Sequence, residues 1–159
     1  MPLFNLLAVD NFEATRSIAP RDIASGAITT VRDLDEKEEI EPWVQAILHD
    51  TNRTSHGPSE IVDIFMHKLS VRGKTGLAAF ILKGKSFPTV RPVHVSHQIF
   101  RLERLQDLSF AILGASGNVL DEVKEQFVST AKRLLCDYAI LDAQDLARLF
   151  IAFGFICPR

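Results

Sequence analysis

No stretch of this chain approaches the roughly 18 consecutive apolar residues that a membrane-spanning helix needs. The short apolar patch at its start has no basic residues ahead of it, so neither a transmembrane anchor nor a secretory leader is expected. Cysteine is equally scarce. Cys136 and Cys157 are the only two, and they have no partner spacing for zinc or a redox pair, so reduced thiols in a cytoplasmic protein are expected. In that compartment the sequon Asn52-Arg53-Thr54 carries no meaning. An excess of one charge is missing too: a formal net charge of −2 lacks the strongly basic balance of a dedicated nucleic-acid-binding module. Internal repeats and low-complexity tracts are absent. Gly73-Lys74-Thr75 and Gly84-Lys85-Ser86 end like phosphate-binding loops, but Lys68 and Ala79 stand where the first glycine is required. Ser116 lacks the Gly-x-Ser-x-Gly setting of a nucleophile elbow. His94 and His97 have no third ligand at a recognisable zinc spacing.

What is present suits a small α/β domain. With 159 residues, 47% of them hydrophobic, the chain can bury one core. Met1 to Thr30 gives no periodic signal. A charged run from Asp33 to Glu39 leads into Ile40, Trp43, Val44, Ile47 and Leu48, whose spacing predicts an amphipathic helix over about 38–49, with Pro42 in its first turn. Residues 1–56 therefore read as an N-terminal extension carrying this helix, and 57–159 as the core, the whole forming one compact domain. Within the core the pattern predicts a strand from Val62 to Arg72, a turn at Gly73-Lys74, and a second strand over Leu77 to Leu82, apolar enough to be buried on both faces. A helix over Val95 to Leu105, a strand over Leu108 to Leu113 and a helix over Leu120 to Leu135 follow. A short strand over Ala139 to Leu141 and a helix from Ala143 to Phe153, stopped by Gly154, complete the order. Strands joined by crossing helices predict a mixed sheet with helices on both sides.

The second strand ends in Lys83-Gly84-Lys85. A lysine closing a core strand needs solvent, a carboxylate or a ligand anion to be tolerated. Alternation puts Ala79, Ile81, Lys83 and Lys85 on one face, with Phe80 and Leu82 on the other. Eight basic residues between Lys68 and Arg104 face a single acid there, Glu103. They are either a basic face or an ordinary solvated surface balanced by the acidic run Asp33 to Glu41.

Gly57-Pro-Ser-Glu60-Ile-Val-Asp63-Ile, a hairpin, and Phe80-Ile-Leu-Lys83-Gly-Lys85 together resemble the core of the restriction endonuclease-like, PD-(D/E)XK nuclease superfamily. Ser109-Phe-Ala-Ile-Leu-Gly-Ala-Ser followed by Tyr138-Ala-Ile-Leu-Asp142 and a final helix is similar to its Mrr-like branch, so the likeness spans roughly residues 57–154. The resemblance implies a restriction endonuclease-like α/β fold and a metal-dependent DNA endonuclease of restriction, repair or anti-phage defence, acting as a homodimer or within a larger complex. It implies Asp63 as metal ligand, Lys83 as catalytic lysine, Glu60 as a displaced second acid and metal ligand, and Gln98 as a polar neighbour of the site. It also implies Mg²⁺, with Mn²⁺ as substitute, and DNA contacts from Lys85, Lys74, Arg91 and Arg101. The chain departs from the pattern at Ile81, where relatives carry an acid. That departure opens an alternative, a nuclease-fold subunit without catalysis that binds nucleic acid or a protein partner.

Overall fold

The computed structural model describes residues 23–48 and 63–157. Helix α1 (Ser25–Arg32) comes first, then a π-helical turn (Glu36–Ile40) running into α2 (Glu41–Ile47). Strands β1 (Ile64–Val71) and β2 (Lys74–Lys83) form a hairpin, followed by β3 (Thr89–Val90) and α3 (Pro92–Arg101), which ends in a 3₁₀ turn. The chain closes with β4 (Leu108–Ala115), β5 (Asn118–Val119), α4 (Asp121–Arg133), β6 (Asp137–Leu141) and α5 (Ala143–Ala152). The main sheet runs β1-β2-β4-β6. Its hairpin is antiparallel and its other two ladders are parallel, so the sheet is mixed, as the pattern predicts. The two-residue hairpin loop is Arg72-Gly73, both with positive φ (53° and 78°), the backbone that matches the twist of the flanking strands. That is one residue earlier than expected, so Lys74 pairs with Val71 and opens β2 rather than turning the chain.

Alternation along β2 divides the interior into two layers. Phe80 and Leu82 pack among residues of α1, α2 and α5, including Val31, Val44, Leu146 and Phe150. Ala79 and Ile81 pack with Val95 and Ile99 of α3 and Val123 and Phe127 of α4. Helices therefore cover both faces. Each fully buried Phe or Leu contributes about 1.5–3 kcal/mol by leaving water, and Val31, Leu34, Ile40, Val44 and Ile47 belong to the first layer. Helices α1 and α2 are thus integral to the core rather than an appendage to it. Trp43 fixes α2 against the chain's end, edge-on to Phe150 and stacked on Phe155, each at 5.2 Å between centroids. Gly154, with φ of 78°, follows the last helix as expected. A second, two-stranded parallel sheet joins β3 to β5, where the sequence suggests only loops. Among the described residues no helix is long and apolar enough to cross a membrane.

Candidate active site

The C-terminal end of β2 gathers polar side chains from four elements. Asp63 stands just before β1, and its amide donates to the Phe80 carbonyl at 3.0 Å. Its carboxylate folds back on the same strand: Oδ2 accepts from the Leu82 amide at 2.7 Å. A main-chain donor that has run out of neighbouring strand thereby finds a charged acceptor, a strong type of hydrogen bond, and the carboxylate is fixed at the sheet edge with its side chain only 8% exposed. Oδ1 accepts from Nε2 of Gln98 on α3 at 3.2 Å. The amide's other end, Oε1, is buried without a hydrogen-bond partner among the described residues.

The π-helical turn delivers the remaining groups. Asp35 caps it, accepting from the amides of Lys37 and Glu38 at 2.9 Å each. Gly84 lets this turn lie against the end of β2, since a Cβ there would come within 2.6 Å of the Glu36 amide nitrogen and the Leu34 carbonyl oxygen. Lys37 Nζ sits 2.9 Å from Glu41 Oε1 and 3.6 Å from Asp63 Oδ1, so one ammonium reaches both carboxylates. Burial pushes the Glu41 carboxyl above its ordinary value; the Lys37 hydrogen bond opposes this, the charge of Asp63 adds to it, and Lys37 and Lys83 draw it back. Burial lowers the affinity of Lys37 for its proton, but Glu41 and Asp63 outweigh this and the net shift is upward. Lys83 is 9% exposed, with its ammonium 5.0 Å from the Phe87 ring centroid, a cation–π contact. It does not escape to the surface.

Of the residues picked from the sequence, Asp63 and Gln98 are hydrogen-bonded, and Lys83 lies on the strand that Asp63 grips, within electrostatic reach of Glu41. No ion pair joins Asp63 and Lys83 within 4.0 Å. Glu60 lies outside the described residues. Ile81 is 1% exposed and packed in the α3–α4 layer. The second acid at this centre is Glu41, which sequence reasoning missed. Glu39, in the same turn, folds back to accept from the Asp35 amide at 3.1 Å. A usable signal lay in Glu41-Pro42, an acid at a helix start four residues after a lysine.

The basic residues do not share one place. Lys74, one of the DNA contacts that the resemblance implies, lies at the opposite end of β2 from Lys83, held 3.4 Å from Asp137 and 5.3 Å above the Phe110 ring. Arg91 is exposed at the start of α3, and Arg101 is half-buried in its last turn. Lys85 is exposed beside the centre, its amide bound to the Leu34 carbonyl. With Arg32 it flanks a groove of about 740 Å³ across the carboxyl ends of β2, β4 and β6, whose wall includes Gly84, Ser116 and Asp142.

Chemically, the centre offers two carboxylates, two ammonium groups and an amide. Among the described residues no cluster of three or more acids, histidines or cysteines could hold a metal. Two carboxylates still suit Mg²⁺, which keeps several waters and takes substrate oxygens to complete its shell. The unpartnered Gln98 Oε1 is an acceptor suited to a water of such an ion. Comparison with protein-family models, curated proteins and solved structures returned no match.

Proposed function

We propose that this chain is a metal-dependent DNA endonuclease with a restriction endonuclease-like core. The observation that carries this reading is the convergence of Asp63, Glu41, Gln98 and Lys83 at one end of β2, with a cation already lodged between the two acids. Mg²⁺ or Mn²⁺ held by Glu41 and Asp63 supplies, when bound, Lewis acidity and a water of lowered pKa. The protein's own contribution is positional. Asp63 is clamped by the Leu82 amide, so its other oxygen stays turned to Gln98 and Lys37. Gln98 holds that oxygen and offers Oε1 to orient a water. Lys83, largely excluded from solvent and therefore weakly screened, stabilises the negative charge that grows on the phosphoryl oxygens. Lys85 and Arg32 beside the groove are suited to flanking phosphates, an attraction that falls with salt.

The experiment is a plasmid-nicking assay on the purified chain. Expected is cleavage with Mg²⁺ or Mn²⁺, lost in chelator and lost in Asp63→Asn, Glu41→Gln and Lys83→Met while each variant still unfolds cooperatively. Cleavage that persists in chelator, or in all three variants, overturns the reading. One observation favours a second reading: Ile81 is buried where an acid would complete the metal site. In that reading the chain binds nucleic acid or a protein partner without cutting, and the same assay returns salt-sensitive DNA binding with no Mn²⁺ uptake.

A further inference from the structure

The cation between Glu41 and Asp63 is the most exposed member of the cluster. Lys37 has a side chain 68% exposed, against 15% for Glu41 and 8% for Asp63. Two nearly dry carboxylates are therefore neutralised by an ammonium on a flexible, solvent-facing stem. A partly exposed pair of this kind is held weakly and screened by salt. The acids cannot leave so easily, because the Leu82 amide and Gln98 hold Asp63, and Glu41 sits in the first turn of a helix whose Val44 and Ile47 are buried.

We propose that Lys37 is a built-in counter-ion that occupies the metal position and must be displaced for a divalent ion to enter, so that metal loading is coupled to nucleic-acid binding. This rests on the nuclease reading and adds the regulation of its site. Free of substrate, Glu41 and Asp63 are already paired, and an incoming divalent ion meets a like charge 2.9 Å from one of its ligands. A bound phosphodiester changes both sides of that competition. It supplies oxygen ligands to the metal and an alternative acceptor for the Lys37 ammonium. By linkage, DNA raises metal affinity by the same factor as metal raises DNA affinity. The charged groups acting on Glu41 are Lys37, Asp63 and Lys83, and Lys37 is the one whose removal leaves the two acids and the catalytic lysine in place.

The test is Mn²⁺ binding, read by electron paramagnetic resonance of the free ion at one fixed pH. Wild type, Lys37→Met and Lys37→Arg are compared, with and without a phosphorothioate DNA duplex. Expected is Mn²⁺ binding at least about tenfold tighter in Lys37→Met without DNA, a change equivalent to about 1.4 kcal/mol. Lys37→Arg should retain weak binding, and the tightening produced by DNA should shrink in Lys37→Met alone. Equal or weaker Mn²⁺ binding in Lys37→Met overturns the proposal. If Lys37→Met binds Mn²⁺ more tightly yet wild type never cuts DNA, the nuclease reading fails and the Lys37 competition stands. If wild type cuts and Lys37→Met gains no affinity, only the competition fails.

Discussion

Strand β2 begins and ends with a lysine, and the two ends use the same materials differently. Lys74 and Lys83 each lie about one ring's reach above a phenylalanine, 5.3 Å from Phe110 and 5.0 Å from Phe87. Each also has a nearly buried aspartate nearby, Asp137 at one end and Asp63 at the other, their side chains 6% and 8% exposed. At the first end the lysine and aspartate pair with each other at 3.4 Å and the lysine also reaches the Ser109 carbonyl. At the second end Asp63 is taken up by an amide of β2, by Gln98 and by a lysine from another element, while Lys83 has no ion pair among the described residues. The difference lies in what is left over among the described residues: an ammonium without an ion pair, a second acid and an amide oxygen without a hydrogen-bond partner.

The largest contrast is expected in rate. Lys83→Met should lower metal-dependent DNA cleavage about 10²–10³-fold, the range seen when one electrostatic stabiliser of a transition state is removed. Lys74→Met, assayed where both variants are folded, should leave the rate within about twofold of wild type, within a difference of about 0.4 kcal/mol. A comparable loss at both ends would erase the distinction. Stability should run the other way. Lys74→Met removes the ammonium beside the largely buried Asp137 carboxylate; a broken buried pair costs about 3–5 kcal/mol, which the 38% exposure of Lys74 reduces to about 1–3 kcal/mol. Lys83→Met replaces a nearly dry cation with an apolar side chain of similar length, and urea unfolding should find it within about 1 kcal/mol of wild type or more stable.

Adding the missing acid sharpens the comparison further. Ile81→Glu buries a carboxylate in the layer of Val95 and Ile99, and its stability should fall by about 2–4 kcal/mol without metal. If Mn²⁺ restores part of that loss in a thermal melt, position 81 reaches the same centre as Lys83; if Mn²⁺ has no effect, it does not. The smallest effect expected is in pH. The Glu41 carboxyl is raised above 4.5, burial being the main cause, so the folded state holds its proton more tightly than the unfolded state. Its contribution is most favourable below pH 4.5 and is lost as pH rises through the folded value. Glu41→Gln should flatten that slope by about 1–2 °C in melting temperature just above pH 4.5. An unchanged slope would mean that Glu41 is not in the dry setting described.

Much of the β2 end was legible because a strand's alternation is rigid. Once Leu77 to Leu82 is read as a buried strand, Ile81 and Lys83 must share a face, and a hairpin must bring Asp63 beside them. The hairpin turn was displaced by one residue because Arg72 adopts a positive φ, uncommon for a side chain other than glycine. The acid Glu41 and its lysine went unread despite their four-residue spacing, since α-helical spacing applied from residue 38 onward misjudges a turn in which the Glu41 amide bonds to the Glu36 carbonyl, five residues back. Helix α1 escaped notice because only Ala27 and Val31 of its eight residues are buried. The β3–β5 ladder, two residues to a strand, is too short for any periodicity to announce it.

The π-helical turn has a consequence for insertions and deletions. Such a turn is in effect an α-helix with one residue added, and removing Glu38 would return Glu36–Ile40 to ordinary α-helical winding. Helix α2 would remain seated by Ile40, Val44 and Ile47, keeping Glu41 where it is. Five residues of π winding and four of α winding turn the chain about the axis by nearly the same angle, so Lys37 would stand three residues before Glu41 and keep to its side of the helix. A single codon lost in this segment would thus be absorbed in the winding of the turn, leaving the resident cation beside its carboxylates.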